Sequence, residues 1–298
     1  MAKKIFVLGS INLDLVLYSN EFPETGETIV GKDFFINLGG KGANQAIAAR
    51  KAGGDTTFIG RVGSDYFGEL ALSEIKKSDV KTEIILDTSV LTGVALINVN
   101  AKGENKIIVV PGANGFLGDN EINMLKNKIS SDDVLLLQGE IPIDVLIEVA
   151  RYSFSIGASV IFDPAPFKEE FEKVMPFVTF LTPNEVELKK ITSSPNISKL
   201  LSLGDISTII KLGENGIFYK SNTEDFIIPA FKVHAIDTTG AGDAFNGTFA
   251  VAISCGKNIK EALIFASAAS VISITRKGAA ISFPCREEIE NFLKRNKL

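Results

Sequence analysis

Residues 237–247, DTTGAGDAFNG, combine small residues with a carboxylate in a way that could bind and transfer phosphate. Gly240, Ala241 and Gly242 precede Asp243, and the next residues, AFNGTFAVAIS, have helical spacing. The first amides of a helix have no backbone partner, and small residues leave them open to a ligand. Those amides, together with the positive end of the helix, attract anions. The pattern predicts an anion site with a carboxylate beside it, although Asp243 as an ordinary capping residue explains the isolated motif equally well.

A second glycine-rich segment, NLGGKGANQAIAARKAGG at 37–54, also opens a predicted helix. Lys41 and Asn44 lie near its start, and Gly53 and Gly54 are typical of its end. The spacing differs from that of a Walker A phosphate loop. Taken alone, the segment is explained best by a tight glycine turn.

Two further motifs suit a nucleotide and its metal. In TPNEVE, residues 182–187, Asn184 and Glu187 are three apart and share one helical face, an arrangement of oxygen ligands that suits Mg²⁺. A solvated acidic first turn is the more common explanation. In KLGENG, residues 211–216, the glycines would let backbone approach a nucleotide, and a simple hairpin turn explains them equally well.

The segments that must position these motifs are short apolar runs, each followed by a turn or a helical pattern. They are IFVLGS at 5–10, TFIGRVG at 57–63, DVLLLQGE at 133–140, ASVIFDPAP at 158–166, VTFLTPNE at 178–185 and TIIKLGENG at 208–216. Their alternation with helices predicts a mostly parallel sheet covered on both faces. Ligands bind outside the carboxyl ends of such strands. The residues at those ends are polar or glycine: Asn12, Asp14, Glu140, Asp163, Asn184, Glu187 and Gly213 to Gly216.

Residues 91–110 break this alternation, because they contain two strands of alternating polarity joined by a glycine turn. With segments near 12–19 and 28–37 they predict a small second sheet, which would cover the main body as a lid or pair with another subunit. No linker-like segment separates the two parts, so we expect a single domain over residues 1–298.

Composition excludes several classes of protein. With 45% hydrophobic residues the chain can bury a large core, and a net charge of −5 argues against general nucleic-acid binding. Cys255 and Cys285 lack metal or disulfide spacing, and we interpret them as packing residues in a reducing compartment. The single histidine, His234, lies in FKVHAID, whose alternation predicts a strand. Without a signal peptide or a membrane-length apolar run, the expected location is the cytoplasm.

Taken together and in order, the motifs resemble those of the phosphofructokinase-B (ribokinase-like) family of sugar kinases. The resemblance rests on GSINLD at 9–14, GGKGANQA at 39–46, TGVALI at 92–97, DPAP at 163–166, TPNE at 182–185, DTTGAGDAFNG, and TRKGAAISFPCREEIE at 275–290. It covers nearly the whole chain. It implies a three-layer α/β/α sandwich with a mostly parallel central sheet and a small β-sheet lid that clasps a second subunit in a homodimer.

The resemblance also implies an activity, which is transfer of the γ-phosphate of ATP to the 5-hydroxyl of D-ribose. Asp243 would be the general base, and Gly240, Ala241 and Gly242 would form the anion hole. The sugar-binding residues would be Asn12, Asp14, Gly40, Lys41, Gly42, Ala43, Asn44 and Glu140, with Asp243 itself. A kinase for another small sugar or a nucleoside, such as 2-deoxyribose, fructose or adenosine, is the nearest alternative, and a non-catalytic sugar-binding regulator is a more distant one.

The same resemblance assigns residues to the nucleotide and to two cations. The nucleotide would contact Asn184, Lys211, Leu212, Gly213, Glu214, Asn215, Gly216, Gly242, Asp243 and Ser267. Asn184 and Glu187 would organise Mg²⁺ through water. A potassium ion would be held by Asp237, Thr239, Ser273, Arg276, Gly278 and Ser282, mostly through backbone oxygens. Three positions differ from the commoner pattern: Lys211 replaces a frequent threonine, Ser267 a histidine, and Asp163 an asparagine.

Overall fold

A computed structural model describes residues 3–192 and 206–296 of the chain. Its thirteen strands in that part are β1 Ile5–Leu8, β2 Asn12–Tyr18, β3 Asp33–Gly39, β4 Thr56–Gly63, β5 Lys81–Asp87, β6 Gly93–Val99, β7 Asn105–Val110, β8 Val134–Gln138, β9 Ser159–Asp163, β10 Phe180–Leu181, β11 Ser207–Lys211, β12 Ile217–Lys220 and β13 Asp225–Ile228. The eight α-helices of the same part are α1 Lys41–Lys51, α2 Tyr66–Lys76, α3 Asp119–Lys126, α4 Ile143–Ser155, α5 Glu185–Thr192, α6 Ala241–Ser254, α7 Ile259–Ile274 and α8 Arg286–Asn296.

Among the described residues, nine strands form one central sheet in the order β13-β12-β11-β10-β9-β8-β1-β4-β5. All adjacent strands from β11 to β5 pair in parallel, and only β12 runs against its two neighbours. This arrangement confirms the mostly parallel sheet that the alternating apolar runs predict.

Two apolar layers cover the two faces of this sheet. Along β1, Ile5 and Val7 belong to one buried cluster and Phe6 and Leu8 to the other, as the two-residue period of a strand requires. The first cluster includes side chains of α1, α6 and α7, and the second includes side chains of α3 and α4. The fold is therefore a three-layer α/β/α sandwich, as expected.

A separate four-stranded sheet, in the order β3-β2-β6-β7, forms the lid. Strand β2 pairs antiparallel with β3 and parallel with β6, and β6 pairs antiparallel with β7. Its strands come from the three segments expected near 12–19, 28–37 and 91–110, with β3 shifted toward the C-terminus to Asp33–Gly39. Every residue of β7 is exposed, including Ile107, Ile108 and Val110.

The close packing of α1 against α6 brings the two glycine-rich motifs together. A Cβ atom added at Gly247 of α6 would lie 2.4 Å from the backbone oxygen of Gln45 and 2.8 Å from the backbone nitrogen of Ala49. Only glycine leaves room for helices this close. Both helices begin after a glycine with positive φ, Gly40 at 87° and Gly240 at 75°.

Two sequence interpretations are wrong. The segment around His234 is not a strand, although its residues alternate, because it bonds to the end of α7: the amides of Ile236 and Asp237 both donate to the Ile274 carbonyl. Cys255 and Cys285 are not packing residues, since both are exposed at helix termini, one after α6 and one before α8.

Candidate active site

Asp243 lies in the first turn of α6, and its carboxylate turns toward α1 instead of capping its own helix. Asn44 Nδ2 donates to one carboxylate oxygen at 3.2 Å and Gln45 Nε2 to the other at 3.0 Å. The side chain is buried. The structure therefore favours a functional Asp243 over the capping alternative.

Burial raises the pKa of Asp243 above its ordinary value, because a charged carboxylate loses solvation there. The positive charge of Lys41 opposes this rise, whereas the negative charges of Asp163 and Glu140 add to it. A carboxylate of increased basicity accepts a proton more readily, which is what a general base for an alcohol requires.

Gln45 is a candidate functional residue that the sequence interpretation missed. Its Nε2 donates to Asp163 Oδ2 at 2.9 Å as well as to Asp243, and its Oε1 accepts from Gln138 Nε2 at 2.9 Å. This fully buried amide thus ties the ends of β8 and β9 to the first turn of α6. The available signal was its place four residues after Lys41, on the same face of α1.

Glu140, just beyond the end of β8, is fixed against the start of α1. Its Oε2 accepts from Ser10 Oγ at 2.5 Å and from the backbone amide of Lys41 at 2.9 Å. A carboxylate at a helix N-terminus satisfies a free amide and complements the helix dipole. The lid residue Asn12 is fixed in a similar way, because its Oδ1 accepts from Asn114 Nδ2 at 2.7 Å.

Asp14 projects from lid strand β2 toward this group. A Cβ atom at Gly39 of the neighbouring strand β3 would lie 2.0 Å from Asp14 Oδ1, so the absence of a side chain at Gly39 creates the space for the carboxylate. Burial, together with the nearby negative charges of Glu140 and Asp243, raises the pKa of Asp14 to about 7. Asp14 and Asn12 belong to the lid and not to the central sheet, so sugar contacts would come from both sheets.

Lys41 supplies positive charge among these carboxylates. Burial alone lowers the pKa of its ammonium group, but Asp243, Asp163, Glu140 and Glu187 together outweigh burial and raise the pKa above the ordinary value. Lys41 therefore stays charged. Gly40, Gly42 and Ala43 shape the adjacent turn, where the amides of Ala43 and Gly42 bond to the Ser10 backbone oxygen and hydroxyl.

A cavity of about 160 Å³ opens at the other side of the Asp243 turn. Of the residues expected at the nucleotide it is lined by Lys211, Gly213, Gly216, Gly242 and Ser267, and not by Asn184, Leu212, Glu214, Asn215 or Asp243. The remaining lining residues are Ile217, Ala230, Phe231, Ala241, Phe245, Ser270 and Val271. Sequence reasoning missed most of these because apolar residues at helical or strand spacing are indistinguishable from core.

Asn184 and Glu187 bond to each other. The Asn184 backbone amide and Nδ2 donate to the two Glu187 carboxylate oxygens at 2.8 and 3.1 Å, and the Glu187 amide donates to Asn184 Oδ1 at 2.8 Å. This is a reciprocal cap of α5. In the residues that the structure describes, no group of three His, Cys, Asp or Glu side chains is arranged to hold a metal ion. Magnesium at this pair stays a prediction.

The expected potassium residues form two hydrogen-bonded groups, one around Asp237 in the loop before α6 and one around Arg276 just after α7. Asp237 accepts from the Thr239 amide at 2.9 Å and from the Gly278 amide at 2.8 Å. Although burial works against it, these hydrogen bonds lower the pKa of Asp237. Arg276 connects the remaining two residues, since its amide donates to the Ser273 oxygen at 3.0 Å and its guanidinium to the Ser282 oxygen at 3.4 Å.

Asp243, a buried carboxylate of raised pKa, lies between polar side chains of α1 and a cavity lined by Gly242, as a phosphotransferase that acts on a small hydroxylated compound requires. A profile of the pfkB family of carbohydrate kinases matches residues 2–286. The chain therefore belongs to the pfkB carbohydrate kinase family.

Individual relatives agree with this membership. A ribokinase of Bacillus subtilis is 38% identical, with 98% of this chain and 99% of that protein covered. A deoxyribokinase of Salmonella typhimurium is 31% identical, with 98% and 99% covered. The structure of a ribokinase of Arabidopsis thaliana complexed with ribose and ATP matches with a TM-score of 0.91 and 32% identity, with 99% of each chain covered. Among the described residues, no helix is long and apolar enough to span a membrane.

The raised pKa of Asp14 predicts a pH-dependent stability. Between about pH 4 and 7 the carboxyl is ionised in the unfolded chain but still protonated in the folded one, so stability falls as pH rises through this window, by up to about 1.4 kcal/mol per pH unit. Asp14→Asn cannot ionise, so its free energy of unfolding relative to the wild type should rise between pH 4 and 8. Urea denaturation without ligands measures this.

The matched control is Asp33→Asn, which removes the same charge from an exposed position of lid strand β3. Its difference from the wild type should change little over the same pH range. An Asp14→Asn difference that is equally flat would contradict the raised pKa.

Proposed function

We propose that this chain transfers the γ-phosphate of ATP to the 5-hydroxyl of D-ribose, giving D-ribose 5-phosphate and ADP. The observation that carries the proposal is the place of Asp243: a buried carboxylate of raised pKa follows directly on Gly242, which lines the cavity on the nucleotide side. A proton acceptor and phosphate-binding amides are thus adjacent in the chain. The ribokinase relatives and the neighbour complexed with ribose and ATP support the choice of sugar and donor.

In the reaction, the 5-hydroxyl oxygen attacks the γ-phosphorus and forms a new P–O bond, while the bond from phosphorus to the ADP oxygen breaks. Asp243 takes the hydroxyl proton, and ADP leaves with the bonding electron pair. The amides of Gly240, Ala241 and Gly242, at the positive end of α6, would stabilise the negative charge on the transferred group. The Ala241 amide donates to the Thr238 carbonyl at 3.2 Å and would turn from it to the phosphate. Asn44 and Gln45 hold the base by bonding both of its oxygens.

The sugar would lie between the lid and α1, where hydroxyl groups can meet charged and amide side chains. Asp14 and Asn12 contribute from the lid, and Glu140 and Asn44 from the central body. The substrate-binding set is the full one expected from the sequence: Asn12, Asp14, Gly40, Lys41, Gly42, Ala43, Asn44, Glu140 and Asp243.

The nucleotide would occupy the cavity between the β11–β12 hairpin and α7, with its phosphates toward Gly242. Magnesium would bind mainly to the phosphates and to water, with Asn184 and Glu187 ordering that water. Since these two side chains already bond to each other, their contact with the ion is indirect. Potassium would bind the backbone oxygens around Asp237 and stiffen the loop that leads into the anion hole.

The lid offers a surface for a homodimer. The outer strands of the lid, β3 and β7, expose Phe34, Phe35, Ile107, Ile108 and Val110. Apolar side chains grouped in this way indicate an interaction surface, which single exposed apolar residues do not. Pairing two lids would bury these side chains, and sedimentation equilibrium would measure the resulting mass. We place the enzyme in the cytoplasm, where ATP is available and where two exposed free cysteines would stay reduced.

The general base is tested by Asp243→Asn, which keeps the size of the side chain but removes its basicity. We expect the turnover of ribose with ATP and Mg²⁺ to fall by about 10²–10⁴-fold, the usual contribution of a general base. Ribose binding, measured by calorimetry, should change much less. Asp225→Asn, at an exposed site on β13, serves as the control.

A wild-type rate in Asp243→Asn would exclude this residue as the base. Ribose binding to the wild-type protein with no ADP release would instead support a non-catalytic regulator.

The alternative substrate is 2-deoxyribose, which the deoxyribokinase relative favours. A carboxylate at Asp14 can accept from two adjacent hydroxyls, and a sugar that lacks one leaves a buried acceptor unpaired at a cost of about 1–3 kcal/mol. We therefore expect kcat/KM for ribose to exceed that for 2-deoxyribose by about 10- to 100-fold, with fructose and adenosine poorer still. Asp14→Ala removes this acceptor and should bring kcat/KM for ribose closer to that for 2-deoxyribose. Equal efficiency on ribose and 2-deoxyribose would favour the alternative.

The potassium proposal has its own test in the same assay. Replacing sodium by potassium at constant ionic strength should raise turnover of the wild type, because the ordered loop presents the amides of the anion hole. Asp237→Asn weakens the bonds to Thr239 and Gly278 and should reduce this response. If turnover were equal in both salts, the cation site would be wrong while the kinase assignment stood.

A further inference from the structure

Lys211 and Asp163 form an ion pair in the active-site region. They end two strands of the central sheet, β11 and β9, which are separated by β10. Lys211 Nζ donates to Asp163 Oδ1 at 3.1 Å, and the side chains are only 18% and 2% exposed. Both positions differ from the commoner pattern of the family, which has an uncharged threonine in place of Lys211 and an uncharged asparagine in place of Asp163.

The ammonium group of Lys211 lies at the anion hole. Lys211 lines the nucleotide cavity, and a Cβ atom added at Gly242 would lie 3.6 Å from Lys211 Nζ. Gly242 directly precedes the proposed base. The charge of the ammonium group and the positive end of α6 therefore converge on the place where the transferred phosphate must lie.

The Asp163 carboxylate has partners other than Lys211. Its other carboxylate oxygen, Oδ2, accepts from Gln45 Nε2 at 2.9 Å. Asp163 also lies close enough to Lys41 to raise the pKa of that ammonium group. If Lys211 turned to a ligand, Asp163 would keep a hydrogen-bond donor and a neighbouring positive charge.

We propose that Lys211 binds the terminal phosphate of the donor nucleoside triphosphate, and that Asp163 holds the ammonium group in place until that phosphate arrives. Lys211 is then a further residue that touches the transferred group and distinguishes a triphosphate from a diphosphate. The inference deepens the proposed kinase function and rests on it for the position of the transferred phosphate.

A structural role is the competing explanation, in which Lys211 only neutralises a buried carboxylate. The two roles differ in what removing Asp163 does. If Lys211 serves Asp163, then Asp163→Asn should make Lys211 dispensable. If Lys211 serves the phosphate, its loss should weaken triphosphate binding whether residue 163 is charged or not.

The test is a titration of four full-length proteins with a non-hydrolysable ATP analogue and with ADP, each with Mg²⁺ and no sugar. The proteins are the wild type, Lys211→Met, Asp163→Asn and the double variant. In the double variant we expect the analogue to bind about 10- to 100-fold more weakly than in the wild type, the usual effect of losing a charged hydrogen bond, and ADP to bind within about threefold. Lys211→Met should show the same selective loss.

Lys220→Met is the matched control, because Lys220 lies at the opposite end of the β11–β12 hairpin, paired with Thr208. It removes the same charge and should leave both affinities unchanged. Wild-type affinity of the double variant for the analogue, or an equal loss for analogue and ADP, would overturn the proposal. Lys211→Met leaves the buried Asp163 carboxylate without its ion-pair partner, and this variant could fail to fold. The double variant removes that carboxylate as well, so its affinities still distinguish the two roles of Lys211.

These outcomes are separable from failure of the proposed function, because the titration requires no sugar and no turnover. A protein that binds triphosphate through Lys211 but does not phosphorylate ribose would refute only the sugar assignment. A protein that phosphorylates ribose but shows no selective loss of triphosphate binding would refute only the role of Lys211.

Discussion

The structure depends on holding four carboxylates, Asp14, Glu140, Asp163 and Asp243, in one partly buried region. Each would repel the others, and isolated buried charges are costly. Three kinds of partner stabilise the cluster: the ammonium groups of two lysines, the backbone amide of Lys41 at the start of α1, and the side-chain amides of Asn44 and Gln45. Burial is the main cause of the raised pKa of Asp243, and the negative charges of Asp163 and Glu140 add to it.

Much of this arrangement follows from local sequence. The apolar runs with a turn after each predict the parallel sheet, and the rule that ligands bind at the carboxyl ends of strands is enough to place Glu140 and Asp163 at one edge of that sheet. The glycine motifs predict where α1 and α6 begin. Local pattern could not predict contacts between residues far apart in the sequence. Gln45 lies in a helical segment whose pattern predicts core, but its side chain bonds to Asp163 and Asp243, which follow it by 118 and 198 positions.

The two wrong interpretations, of the His234 segment and of the cysteines, also arose because local sequence does not show contacts across the fold. The segment around His234 has the alternation of a strand, but whether it pairs depends on a neighbour, and the end of α7 takes its amides instead. The two cysteines are interpreted as packing residues because they lack metal or disulfide spacing, yet both lie where a helix meets solvent. The pairing of Lys211 with Asp163 was likewise beyond local pattern, since each residue alone is only a departure from a motif.

The contact at Gly247 has a consequence for how this protein can change. Because α1 and α6 touch through backbone atoms at this point, no flexible side chain lies between them to absorb a shift. A larger residue at position 247 would push α1 and α6 apart. Asn44 on α1 and Asp243, the proposed base on α6, would then be displaced together. Substitutions at the helix crossing should therefore show strong non-additivity with substitutions at Asn44 or Asp243, even though position 247 touches neither substrate.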